Sequence, residues 1–324
     1  MSATTRAQRP PLGVRLLYGL RREPDPSTVT PEELAAASEA QNRLAASGVM
    51  RPFIGFPARG VAIDWRRVEL PDRAVPVRVH RPPRRSGGAL PLVVHVHGGG
   101  FAGTAAQCDW VASHVAARLP AVVVSVEHRL VSFDVPMSAA VDDGWDVLRH
   151  IVKHAGEWGV DPARAAVFGE SAGALIAALA AIRARDAALP LRAQVLVNPC
   201  VDLTSTALDY ASVSEHADSP TLTAERLELF RRLAVPEGAD AGAVSPLYAE
   251  DLSGLPPALV VVPVLDPIAD HGRVYAERLN EAGTPARLSE HPRAGHAFIS
   301  MPGLVPQARA ARDRIVGFLR ERLG

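Results

Sequence analysis

The stretch Gly169-Glu170-Ser171-Ala172-Gly173 has the residue types and spacing that could support covalent chemistry. An apolar run, Ala165 to Phe168, leads into it and a helix-forming run, Ala174 to Ala184, leads out. This predicts a strand, a sharp turn and a helix, with Ser171 on the turn. Such a turn lifts the hydroxyl clear of its strand and sets it beside a helix N-terminus, where backbone N–H groups favour developing negative charge. Glycines on either side let strand and helix approach closely. Glu170 reads as a hydrogen-bonding brace, its carboxylate turned away from the hydroxyl.

A serine hydroxyl is a weak nucleophile and needs a base within hydrogen-bond reach, itself oriented by an acid. Asp266 follows the apolar run Val260 to Leu265, where a strand should end. His296 follows the next strand across the short loop from His291 to Gly295. Ser171, Asp266 and His296 thus read as nucleophile, orienting acid and general base. The imidazole must be neutral to accept a proton, so the rate should fall in acid. The competing base is His291, which precedes a proline and reads as the end of a strand. The competing acid is Asp270, which reads as the N-cap of the next helix. His271 follows Asp266 too closely to swing back onto Ser171.

A serine attacking a carbonyl also needs donors for the oxygen that becomes negative. His97-Gly98-Gly99-Gly100 follows the strand from Leu92 and leaves its backbone bare. The amides of Gly99, Gly100 and Ala172 read as three donors, with Gly98 and His97 supporting the loop. His95 and His97 share a strand face as a conceivable metal pair, but no third ligand is signalled, so no metal is expected. Phe230, Tyr248, Trp158 and Phe298 read as packing residues.

The elements that must position these groups can be traced along the chain. Residues 1–55 are helical in character, and Thr30-Pro31-Glu32-Glu33 marks a helix start. Strands at Val61 to Leu70 and Val75 to His80 are joined by the turn Pro71-Asp72-Arg73. Strands and helices then alternate to the end, with strands expected to close at Asn198, Leu265 and Glu290 and a last helix from Val305 to Leu323. The pattern implies the α/β class: a mostly parallel central sheet flanked by helices, with an antiparallel edge. Residues 203–245 break the alternation, with one helix expected from Thr223 to Leu233. Together with residues 1–55 they are expected to form a lid over the carboxyl ends of the strands.

The bulk composition narrows the classes. The chain has 324 residues, with 35 Lys+Arg against 35 Asp+Glu, which argues against nucleic acid or an anionic membrane as the main partner. Its two cysteines, Cys108 and Cys200, give neither metal spacing nor a disulfide framework and suit a reducing compartment. The apolar stretch from Val14 to Leu20 is short and interrupted by Arg15, so no signal peptide is expected; no run is long enough for a membrane span. The expectation is a cytoplasmic protein.

With His97-Gly98-Gly99-Gly100, the segment 169–173, Asp266-Pro267-Ile268-Ala269-Asp270 and Gly295-His296-Ala297-Phe298 in this order, the chain resembles the bacterial hormone-sensitive-lipase-like esterases, an α/β-hydrolase family. The likeness spans about residues 60–320 and includes Asn198-Pro199-Cys200-Val201-Asp202 and Ser245-Pro246-Leu247. It implies the α/β-hydrolase fold with a helical cap: an N-terminal cap segment at 1–55 and a catalytic domain at 56–324 with a cap insertion at 203–245. It also implies the triad and oxyanion donors named above, and hydrolysis of short- to medium-chain acyl esters without a cofactor. The partner would be a small-molecule ester, with no nucleic acid and no integral membrane, and a homodimer is compatible with it. Two departures bear on substrate range. His128-Arg129-Leu130-Val131-Ser132-Phe133 stands where the family usually has Tyr-Arg-Leu-Ala-Pro-Glu, and Pro263-Val264 stands where it usually has Ala-Gly. An acyltransferase or an amide or lactone hydrolase would need the same triad. A non-catalytic binder of a small ligand is the remaining alternative.

Overall fold

The computed structural model describes residues 9–19, 24–83 and 88–324. Parts of the expected N-terminal segment, residues 1–8 and 20–23, lie outside the described residues. The chain opens with helices α1 (Leu12–Gly19), α2 (Pro31–Ala46) and α3 (Arg51–Ile54). Thr30 starts α2 with a reciprocal cap: its Oγ1 accepts from the Glu33 amide at 3.2 Å, and its own amide donates to Glu33 Oε2 at 3.0 Å.

Strands β1 (Ala62–Glu69) and β2 (Ala74–Arg81) form the expected hairpin, followed by β3 (Leu90–Val96). Helix α4 (Asp109–Arg118), strand β4 (Val122–Val126) and helices α5 (Met137–Lys153) and α6 (Ala155–Trp158) come next. Then follow β5 (Val160–Glu170), α7 (Ala172–Asp186) and β6 (Ala193–Val197). Helices α8 (Ala211–Glu215) and α9 (Ala224–Ala234) precede β7 (Ala258–Leu265), α10 (Ala269–Glu281), β8 (Ala286–Gly295) and α11 (Gln307–Leu323).

The eight strands form one sheet in the order β1-β2-β4-β3-β5-β6-β7-β8. β1 with β2 and β2 with β4 are antiparallel, and every other pairing is parallel. The central strands are buried on both faces, which is why they read as unbroken apolar runs. Alternate side chains divide between two cores. Val94, Val124, Val167 and Leu196 pack toward α5 and α7, whereas Val93, Val123, Phe168 and Val195 pack toward α4 and α11. Asp109, buried at the start of α4, accepts from Arg78, His80 and Arg51, and so fastens α3 to the sheet. Burial works against its charge, but the bonds from His80 and Arg78 hold the carboxyl well below the usual carboxylate range.

Three elements differ from the sequence expectation. β8 does not stop at Glu290 but runs through His291 and Pro292 to Gly295. It is an edge strand, where the missing N–H of a proline need not break a ladder bond. The segment 203–245 holds α8 as well as α9. Asp270 is not an N-cap, because α10 begins at Ala269 and Ile268 is the capping position. Its carboxylate instead accepts from the Ser212 amide at 2.9 Å, while Ser212 Oγ donates to Pro267 O at 2.7 Å. These bonds pin α8 to the loop after β7.

Candidate active site

Leu265 at the end of β7 lies in register with Gly295 at the end of β8. The next residue on each strand is Asp266 and His296, so the extension of β8 past Pro292 brings acid and imidazole together. His296 Nδ1 lies 2.8 Å from Asp266 Oδ2, and its Nε2 lies 2.8 Å from Ser171 Oγ. A carboxylate oxygen only accepts, so the ring proton sits on Nδ1 and Nε2 faces the hydroxyl as acceptor. The other Asp266 oxygen accepts from the Ile268 amide at 3.0 Å, which fixes the carboxylate plane. Asp266 is fully buried, and His296 nearly so. The rivals sit elsewhere: His291 bonds Ser289 and packs against Phe298, and His271 bonds the Ala207 carbonyl.

Ser171 follows β5 directly and has φ 56° and ψ −119°, a conformation costly for any residue with a side chain. Helix α7 starts at Ala172, two residues earlier than the sequence pattern suggested. The flanking glycines are forced by contact. A Cβ on Gly169 would lie 2.1 Å from Gly173 O, and one on Gly173 would lie 2.3 Å from Val96 O. The Ser171 amide donates to Val197 O at 2.9 Å, tying the turn to β6. Glu170 is buried, accepts from Ser300 Oγ at 2.8 Å and makes no hydrogen bond to Ser171 among the described residues. Burial pushes its carboxyl up.

The loop after β3 is held by its carbonyls. Gly98 O accepts from Gln107 Nε2 at 3.0 Å and from His97 Nδ1 at 3.0 Å, and Gly100 O accepts from the Val131 amide at 2.8 Å. Among the described residues, the amides of Gly99, Gly100 and Ala172 donate to no protein acceptor. All three residues line the same cavity as Ser171 and His296.

That cavity has a volume of about 360 Å³ and is walled mainly by apolar side chains. Leu17, Leu44 and Phe53 come from the N-terminal helices, and Leu227 and Phe230 from α9. Phe230 is therefore a cavity wall as well as a packing residue, and Cys200 also faces the space. Gln107 and Ser300, which line the cavity and hold the Gly98 carbonyl and the Glu170 carboxylate, carried no signal in the sequence, because each contact is made only in the folded chain.

Three buried histidines lie beneath the site. His95 bonds Ser125 at 3.0 Å and meets the edge of Phe168, while His97 stacks on His128 with ring centres 4.2 Å apart. Among the described residues no group of three or more His, Cys, Asp or Glu is arranged to hold a metal ion. Burial pushes His95 down to about 3 and holds His97 and His128 below the ordinary imidazole value of 6.5. A neutral imidazole in the folded state and a protonated one in the unfolded state favour unfolding. Stability should therefore be full above about pH 6.5 and lost as the pH falls, by up to about 1.4 kcal/mol per pH unit for each such histidine. Glu170 works oppositely, recovering stability as the pH falls toward its unfolded value of 4.5. Urea midpoints should lie close together at pH 7.5 and 6.5 and drop steeply by pH 5.5, and His95→Asn should lessen the drop. A level midpoint over that range would contradict this account.

Comparisons with known proteins identify the family. Residues 93–300 match a family described by its alpha/beta hydrolase fold. The chain is 39% identical over 258 residues to "Carboxylesterase NlhH" of Mycobacterium tuberculosis (strain ATCC 25618 / H37Rv), covering 77% of this chain and 79% of that protein. It is 34% identical over 277 residues to "Esterase LipI" of the same organism, covering 82% of this chain and 85% of that one. Among solved structures, the hyperthermophilic esterase from the archaeon Pyrobaculum calidifontis superposes with a TM-score of 0.81 at 30% identity, over 97% of this chain and 98% of the other. The chain belongs to the α/β-hydrolase family, in its hormone-sensitive-lipase-like esterase branch.

Proposed function

We propose that this enzyme hydrolyses small carboxylic esters through an acyl-enzyme on Ser171. The observation that carries the reading is the unbroken relay from Ser171 Oγ through His296 to Asp266, at 2.8 Å for each contact. Ser171 Oγ attacks the ester carbonyl and His296 Nε2 takes its proton. The carbonyl oxygen becomes negative and is met by the amides of Gly99, Gly100 and Ala172. Collapse breaks the ester C–O bond, and the leaving alcohol takes the proton from Nε2. Water then gives its proton to Nε2 and attacks the acyl carbon; the acid departs and the proton returns to Ser171. Asp266 keeps the imidazole in the one tautomer and orientation that permit both transfers.

The substrate class follows from the walls. An apolar cavity of about 360 Å³ suits a short- to medium-chain acyl group and a modest alcohol. We read α1, α2, α3 and the segment 203–245 as the cap, because the cavity is closed by Leu17, Leu44 and Phe53 on one side and Phe230 on the other. The buried free thiols of Cys108 and Cys200 suit a reducing, cytoplasmic setting. No helix of the described residues is long and apolar enough to cross a membrane.

The test is a series of p-nitrophenyl esters from acetate to palmitate, run before and after treatment with a fluorophosphonate. Turnover should peak at short to medium chains and vanish on treatment, with one phosphonyl group mapped to Ser171. Labelling at another residue, or turnover that survives full labelling, would overturn the assignment.

A further inference from the structure

We infer that Asn42 is a positioning residue that couples the seating of α2 to the setting of the Gly99 and Gly100 amides. The inference rests on the reading of those amides as oxyanion donors. Asn42 Oδ1 accepts from the Gly103 amide at 2.8 Å. Gly103 is buried in the loop after β3, and no other acceptor for its amide exists among the described residues. A buried backbone donor left without a partner is costly, so the loop relies on a group carried by a separate helix.

Displacement of Gly103 cannot stay local. A Cβ placed on Gly103 would lie 2.4 Å from Gly98 O, and one on Gly99 would lie 1.7 Å from Ala102 O. The loop from 98 to 103 is thus folded back on itself, backbone against backbone. On the cavity side, α2 contributes Gln41, Leu44 and Ala45, so Asn42 projects from the turn of helix that a bound substrate would touch. A substrate that seats α2 firmly keeps the Asn42 bond short and the donors aimed. When α2 is displaced, Gly103 loses its acceptor and the donor loop loosens.

The donor is a backbone N–H, so the partner atom must be an oxygen at that reach. This makes the test chemical rather than steric. Asn42→Leu keeps the branched shape and removes the acceptor, whereas Asn42→Asp keeps an oxygen. With p-nitrophenyl butyrate, Asn42→Leu should lower kcat about tenfold, between the effect of one neutral hydrogen bond and that of a whole oxyanion donor, with KM nearly unchanged. Binding of a butyl trifluoromethyl ketone, which forms an oxyanion on the serine, should weaken by the same factor. Asn42→Asp should restore both. If the leucine variant fails to fold, Asn42→Ala serves in its place, as alanine is well tolerated in helices.

A rise in KM with kcat unchanged would mean that α2 only shapes the cavity, and would overturn the coupling. Equal losses in the leucine and aspartate variants, or wild-type behaviour of the leucine variant, would overturn it too. Ser171→Ala is assayed alongside. Full activity there breaks the serine reading itself, while its inactivity beside an unaffected Asn42→Leu breaks only the coupling.

Discussion

Ser171→Ala and His296→Ala are each expected to lower kcat for p-nitrophenyl butyrate by about 10⁵–10⁶, and the double variant by no more than either alone. The reason is geometric. Oγ and Nε2 act as one unit across a 2.8 Å contact, so removing either partner leaves nothing for the other to do. Asp266→Asn should lose less, on the order of 10⁴. Its carboxamide keeps the volume but turns an N–H toward Nδ1, favouring the tautomer that presents a proton to Ser171. KM should stay close to wild type in all three, because the apolar side chains that wall the cavity are untouched. Multiplying losses in the double variant would mean that His296 and Ser171 work separately, and the relay would have to be abandoned.

The parts of this site that sequence could disclose are those fixed by local chain geometry. A nucleophile on a strand-to-helix turn needs glycines at set offsets, so the pattern around Ser171 shows in five residues. Asp266 is visible because the apolar run from Val260 to Leu265 ends there. His296 was singled out from its place after a strand and lies 2.8 Å from Ser171 Oγ, although that strand was expected to stop five residues too soon, at Glu290. A proline inside a strand looks like an end when read locally; only the sheet order shows that β8 is an edge where Pro292 is harmless. Asp270 shows the same limit. Its type and position suit a helix cap, but the Ser212 amide from a segment 58 residues away claims its carboxylate. Gln107, Ser300 and Asn42 left no trace, and Phe230 showed only as a packing residue, because nothing near them in the chain records which loop or cavity they will meet. Alternation reveals which face of an element is buried. It does not reveal against what.

Gly99→Ala is expected to lower kcat by at least about 10²–10³, the loss typical of removing one oxyanion donor. Two features make this glycine irreplaceable. Its φ is +106°, a region that residues with a side chain rarely enter, and a Cβ there would lie 1.7 Å from Ala102 O. The obstacle is backbone, so the loop itself must move and carry the Gly99 amide off target. Gly100 offers the internal contrast. A Cβ at Gly100 would lie 2.3 Å from the Phe230 ring, a side chain that can be cut back. Gly100→Ala should therefore lose activity alone and regain most of it when combined with Phe230→Ala. No substitution of Phe230 should help Gly99→Ala, whose clash is elsewhere. Kinetics on the four variants, with unfolding midpoints to show that each is folded, decide the matter. If Gly99→Ala keeps wild-type kcat, the loop after β3 does not hold the oxyanion, and the donors must be sought at the start of α7 alone.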